Sequence, residues 1–447
     1  MAYQPDFIPT NGLTSAQVTL GGVTAATSAN GKFSIKTSIT PSTDMTILNV
    51  SLPGYIPTQY PWFPSDTVQP LSLGLYPEQQ VFPRPGLMKG VTMMDAGGQH
   101  SLLVRDGVFA PTIDRIRNTV GANLVAYVET PWITRFDPAT NQVAMTADGW
   151  GWGTRSAYES AVGMARARGL QFMMLLGLMT ANPGDSATNA NFAARFSIPQ
   201  TNTAFWDAFF AAWRPLVLER AAWARDLGIE YLALNSNTGY LSRLEPARWA
   251  QLIQAIRAVG YTGKIVYFGF VILENGNNEI NYVDPAFPAL FDAIGFNITA
   301  AITKTTPGEV LDRAQTRARM RSDMSTFLAR QVTLPVPIVL NITTASVFGA
   351  VTNTEYIEPG LGAEQHSLAP SRIRDYQQQA DMYQAVAEAI NGTPTGNGRV
   401  MGLMTWGYWY RDNPTFRFFQ GDGAYDKSAN VRGKPAELVL NWWFKRW

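Results

Sequence analysis

The side chains able to do chemistry in this 447-residue chain are carboxylates and aromatic rings, because cysteine is absent and only two histidines occur. Five acids stand where an apolar run gives way to a loop: Asp95, Glu129, Glu274, Glu355 and Glu358. A carboxylate in a cleft can act as a general acid, base or nucleophile. Glu355 and Glu358 are the candidates for that role, since loop carboxylates can reach into a cleft. Solvation, capping and hydrogen bonding to a hydroxyl-rich ligand are the plainer roles for all five. Asp95, followed by Gly97 and Gly98, suits a helix cap. The candidate binding aromatics are Trp132, Trp150, Trp152, Trp406 and Trp409, with Tyr408 and Tyr410 flanking the last. Sugar rings present C–H faces that stack on aromatic faces, so such platforms suit carbohydrate. Trp406 fits a packed core equally well. Trp150-Gly151-Trp152-Gly153 does not, because rings in a glycine-rich loop have little to pack into; a ligand or a protein partner suits them better. His100 and His366 lack metal-ligand spacing, so neither a metal nor another cofactor is expected. The lack of cysteine excludes disulfides, thiolate metal sites and a cysteine nucleophile.

Composition narrows the partners. Hydrophobic residues make up 46% of the chain and charged residues 15%, which supplies a large core and excludes global disorder. A net charge of +1 gives no electrostatic case for nucleic acid or an anionic membrane as the main partner. No apolar stretch approaches the roughly 20 residues that span a bilayer. The start, Met1-Ala2-Tyr3-Gln4-Pro5-Asp6, has no basic or apolar signal region. The expectation is a protein that stays in the cell, or one that leaves it without a signal, as on the surface of a virus particle.

The elements that must position these residues fall into two parts. In residues 1–65, short strands are expected at Ala16–Gly21, Val23–Ala25, Phe33–Thr37 and Met45–Leu52, with a hairpin turn at Asn30-Gly31 and Pro53-Gly54-Tyr55 closing the series. Residues 66–86, with Pro70, Pro77, Pro83 and Pro85, read as an extended linker. From residue 87 to 447 apolar strands alternate with helices, the mark of a parallel sheet. Strands are expected at Gly90–Met94, Asn123–Val128, Gln171–Leu176, Tyr231–Leu234, Lys264–Phe268, Ala293–Phe296, Pro337–Leu340 and Val400–Met404. Eight such units make a (β/α)8 barrel, and no glycine-rich phosphate turn follows the first strand. The Arg-rich helix of residues 310–331 reads as a solvated outer face.

Several stretches carry a resemblance. Ala157–Leu170, Trp206–Trp213 with Ala221–Gly228, and Trp249–Ile253 with Arg257 and Tyr261–Lys264 come in order. Phe291–Gly295, Tyr376-Gln377 with Tyr383, Gly402–Trp409, and Gly433–Ala436 with Trp443-Phe444 follow. Together they resemble the clan-A glycoside hydrolases, especially β-mannanase-like barrels and their relatives in tail proteins of phages and gene-transfer agents. The N-terminal part resembles the β-sandwich of the carboxypeptidase regulatory-domain type. The resemblance implies an α/β fold, a (β/α)8 barrel carrying a small all-β domain. It also implies two catalytic glutamates, about 5–5.5 Å apart in a retaining enzyme, at the ends of the fourth and seventh strands. On the fourth strand Leu234-Asn235-Ser236-Asn237 puts Asn237 at the acid/base position. On the seventh, Pro337–Thr343 puts Ile342, or Thr343 with a slip of one, at the nucleophile's.

An amide cannot supply a general-acid proton and an isoleucine cannot attack an anomeric carbon. Asn235, Asn237 and Asn341 can still hydrogen-bond hydroxyls. Three functions follow as expectations. The barrel is catalytically inactive and serves as a glycan-binding or structural part of a larger assembly such as a phage tail or virion, anchored by its N-terminal domain. Or it is an active hydrolase with displaced carboxylates. Or it is a protein-binding scaffold that takes no sugar.

Overall fold

The computed structural model describes residues 12–36, 46–62, 73–94, 109–147, 153–180, 186–193, 198–199, 201–235, 246–271, 286–298, 311–351, 373–392, 399–409 and 427–447. Eight parallel strands close into a barrel in strict chain order: β1 Met88–Met94, β2 Leu124–Glu129, β3 Gln171–Leu176, β4 Tyr231–Leu234, β5 Lys264–Val271, β6 Ala293–Ile298, β7 Ile338–Ile342 and β8 Val400–Trp409, which pairs back onto β1. All eight stand where the apolar runs predict them. Around them lie α1 Phe109–Arg115, α2 Arg155–Arg166, α3 Ser186–Ala193, α4 Thr203–Asp226, α5 Pro246–Ala258, α6 Arg313–Arg330, α7 Tyr376–Asn391 and α8 Pro435–Arg446. No helix among the described residues is long and apolar enough to cross a membrane.

Strand side chains alternate between two cores. Leu124, Ala126, Met173, Ala233, Val266 and Val339 fill the barrel interior, and Met404 and Trp406 belong to that layer. Val125, Tyr127, Leu232, Ile338, Leu340 and Ile342 face outward and pack with the helices. Helix α4 meets the sheet with Phe209, Trp213 and Val217, and Trp213 stands edge-on to Trp249 of α5 at 5.4 Å between centroids. Edge-to-face geometry adds to the area such rings bury.

The N-terminal residues form a four-stranded antiparallel sheet of Gln17–Leu20, Val23–Ala26, Thr46–Ser51 and Thr58–Trp62. Its tight hairpin lies at Gly21-Gly22, both with positive φ as a two-residue type I′ turn requires. The turn expected at Asn30-Gly31 is present, but Phe33–Lys36 after it pairs with no strand among the described residues. The sheet's apolar side, Ala16, Val18, Leu48, Val50 and Tyr60, closes against Tyr376 of α7.

Residues 73–84 run along α7 and α8. Tyr76 is buried and donates to Asp381 (2.7 Å), while Gln377 donates to its oxygen. Gln79 donates to Glu388 at 2.7 Å, and Asn391 exchanges hydrogen bonds with the backbone at Gln80 and Phe82. The polar side of α7 (Gln377, Asp381, Glu388, Asn391) is therefore buried beneath this segment. Helix α6 keeps an exposed side, as expected, but three of its arginines also reach the neighbouring elements. Arg313 pairs with Asp375 at 2.8 Å, Arg321 with Glu388 at 3.7 Å, and Arg317 stacks over the Tyr76 ring.

Candidate functional site

The C-terminal ends of the strands form the mouth, where a (β/α)8 barrel collects its ligand-binding residues. Alternation decides which side chains reach it. On β1, Val91 and Met93 pack outward, so Thr92 faces in. On β6, Phe296 and Ile298 pack outward and Asn297 faces in; on β7, Leu340 and Ile342 pack outward and Asn341 faces in. Asn235 continues the inward series of Tyr231 and Ala233 on β4. Among the described residues the interior here is neutral and polar. Asn341, fully buried, donates from Nδ2 to Asn297 Oδ1 at 2.8 Å. Its Oδ1 and the Thr92 hydroxyl are enclosed without a hydrogen-bond partner.

Trp406 sits half-buried at the top of the interior layer. Its neighbour explains the orientation. Gly407 has a φ of 81°, and the pairing with β1 slips between Trp406 and Tyr408. Two residues apart on a regular strand would share a face. This bulge instead leaves Trp406 with the interior and sends Tyr408 to the outer layer, which is how bulges re-aim side chains. There Tyr408 meets Glu437 of α8, whose carboxylate also accepts from Arg115 at 2.9 and 2.6 Å and from Gln59 of the N-terminal sheet at 3.0 Å.

Ile342, the residue aligned with the nucleophile, points into the helical layer, so the inward position at the end of β7 belongs to Asn341. The alternative position, Thr343, is buried with its hydroxyl donating to the Ile298 carbonyl at 3.1 Å. Glu129 also continues the outward series of β2. Arg220 of α4 reaches its Oε2 through Nε (3.1 Å) and Nη2 (3.0 Å), and the Gly153 N–H donates to its Oε1 at 2.8 Å. Both side chains of this pair are fully buried. Burial pushes the Glu129 carboxyl up to about 7, against the pull of Arg220. Arg220 Nη2 also holds the Gly153 carbonyl at 2.8 Å and its guanidinium lies 3.8 Å over Trp223. Glu129 thus fastens Gly153 and with it the start of α2.

Trp132 opens a small sheet above β2 and β3, in which Trp132–Asp137 pairs with Gln142–Thr146 and with Met179-Thr180. Its ring is half-buried and its indole N–H is enclosed without a partner. Trp409 ends β8. Asp95, Trp150, Trp152, Asn237, Glu274, Glu355 and Glu358 lie outside the described residues. Of the sequence candidates, the structure brings Asn235, Asn341 and Trp406 to one interior face and sets Glu129 on the other side of the wall. Asn297 was missed: Asn-Ile follows the sixth apolar run, and only the inward parity of β6 singles it out. Among the described residues no cluster of acids and histidines could hold a metal ion.

No family model matches the chain, and no curated protein sequence matches it. Solved structures do. The GH113 β-mannanase AaManA from Alicyclobacillus acidocaldarius, in complex with ManMIm, superposes with a TM-score of 0.56 at 17% identity, covering 82% of this chain and 99% of that one. A GH113 β-1,4-mannanase complex gives 0.54 at 15% identity, over 80% and 99%. A further GH113 β-1,4-mannanase gives 0.53 at 14%, over 79% and 97%. At these identities the likeness is one of fold alone: the chain is a (β/α)8 barrel of the shape these structures share.

Proposed function

We propose that this barrel recognises carbohydrate at its mouth without hydrolysing it, as a glycan-binding or structural component of a larger assembly such as a phage tail or virion. One observation carries the reading. The described ends of β4, β6 and β7 turn Asn235, Asn297 and Asn341 inward beside the half-exposed ring of Trp406, and Ile342, aligned with the nucleophile, faces the helices. Amides and an indole can bind hydroxyls and C–H faces. They cannot cycle a proton or form a glycosyl intermediate. Asn237, at the position aligned with the acid/base glutamate, fits the same pattern. The uncharged inward residues among those described and the mannanase-like fold support a polysaccharide as ligand.

In this reading residues 1–65 are the adaptor, residues 66–86 join it to the barrel, and residues 87–447 carry the site. Val23–Ala26 is the outer strand of the N-terminal sheet and is largely exposed, a surface to which a strand of an assembly partner can add. Scaffolding by protein contacts has one observation in its favour: Phe348 and Ile373, both exposed, sit side by side with the Phe348 N–H on the Ile373 carbonyl. Binding of soluble neutral polysaccharides to the full chain, compared with Trp406→Ala, tests the main reading. Loss of binding with an unchanged melting temperature supports it. Binding that ignores the substitution refutes a site at the mouth.

A further inference from the structure

We infer that the Asn297–Asn341 amide pair is the element of the mouth that selects a neutral sugar, its hydroxyl donating to Asn341 Oδ1, and rejects acidic sugars. The inference rests on the glycan-binding reading above and deepens it. Asn341 is fully buried on β7, faces the interior and spends one N–H on Asn297 Oδ1. Among the described residues its own Oδ1 has no partner, and neither has the enclosed hydroxyl of Thr92 on β1. A buried amide oxygen without a donor destabilises the fold that contains it, whereas an apolar group of the same size would not. An unfilled acceptor kept at an inward strand end is what a site built for a donor looks like.

Chemistry then narrows the donor. A sugar hydroxyl can donate to Asn341 Oδ1. A uronate carboxylate offers only lone pairs, and would set oxygen against oxygen. An ammonium can donate but would leave water with no counter-charge: the described inward residues at the strand ends, Thr92, Val128, Asn235, Asn297, Asn341 and Trp406, include no ionisable group. Asn297 is a positioning residue, since its Oδ1 fixes the rotation of the Asn341 amide.

The test is calorimetric titration of the full chain with β-1,4-mannohexaose and, separately, hexagalacturonate, with thermal melts of each variant. Wild type is expected to take the neutral oligosaccharide at least about tenfold more tightly than the acidic one. Asn341→Leu is expected to weaken mannohexaose binding about tenfold, one lost hydrogen bond, while melting at the same or a higher temperature. Asn297→Ala is expected to weaken binding similarly, and Asn297→Asp, which accepts the same hydrogen bond, to restore it. Binding unchanged in both Asn341→Leu and Asn297→Ala, or equal affinity for the two oligosaccharides, overturns the inference and leaves glycan recognition standing. No binding of any neutral glycan by wild type overturns both.

Discussion

Replacing Arg220 with Met isolates a fully buried ion pair that ties the barrel wall to its helical layer. The substitution keeps most of the side-chain volume but removes the guanidinium that reaches Glu129 at 3.0 and 3.1 Å and the Gly153 carbonyl at 2.8 Å. Removing one partner of a buried pair costs about 3–5 kcal/mol, because the other charge is left uncompensated. Part of that cost depends on pH, and its sign follows from the proton balance. Burial already raises the Glu129 carboxyl to about 7 in the fold. Without Arg220 it rises further, so between pH 7 and that higher value the folded variant holds a proton that folded wild type releases. The variant's deficit should therefore grow as pH rises above 7, by up to about 1.4 kcal/mol per unit. Below pH 7 it should settle near 1–2 kcal/mol, the loss of the Gly153 contact and the Trp223 stacking. Urea unfolding at pH 6 and pH 9 reads this directly. A deficit that is flat across that range, or below about 1 kcal/mol at pH 9, would mean that Arg220 does not hold the buried Glu129 charge. Glu129→Leu with Arg220→Met should recover most of the loss, as apolar replacements of buried pairs do.

Other predictions rest on neighbouring contacts. Asp381 is held up at about 6 by burial, with Arg313 opposing. Its folded value lies above its unfolded one, so its contribution is present below about pH 4 and is lost as pH rises through 6; wild-type stability relative to Asp381→Asn should fall by up to about 3 kcal/mol over that window in urea titrations. Tyr76→Phe removes the hydroxyl shared by Asp381 and Gln377 and should cost about 1–3 kcal/mol by the same assay, with proteolysis cutting first within residues 73–84. Gly407→Ala forces a side chain onto a φ of 81° at a cost of about 1–2 kcal/mol, and should weaken glycan binding by turning Trp406, read by quenching of tryptophan fluorescence.

Much of this architecture is legible in the sequence. Parallel strands covered on both faces read as continuous apolar runs, which is why all eight barrel strands were visible. The same property hides which way each residue points. Leu124–Glu129 and Ile338–Ile342 are buried throughout, so no polar alternation marks the face of Glu129 or Ile342. Only the closed barrel, with Arg220 ninety-one residues from Glu129 in the chain, resolves it. Residues 73–84 read as a linker because their prolines and polar groups match nothing local. Their partners are the glutamines and acids of α7, some three hundred residues on. Helix α7 did carry a signal: Tyr376-Gln377-Gln378-Gln379 and the acids after it make a polar stripe that, once buried, needs partners. The arginines of α6 are the other half of that match. Trp406 and Asn341 were found from type and place alone, whereas Asn297 needed the register of β6 on β7.

Recognition without hydrolysis is checked by incubating the purified full chain with β-mannans, β-glucans and bacterial surface polysaccharides while following binding and release of reducing ends together. Binding to a neutral polysaccharide is expected, with turnover no higher than that of an unfolded control. Turnover that is abolished by Glu355→Gln or Glu358→Gln would contradict it and make the barrel an active hydrolase with displaced carboxylates.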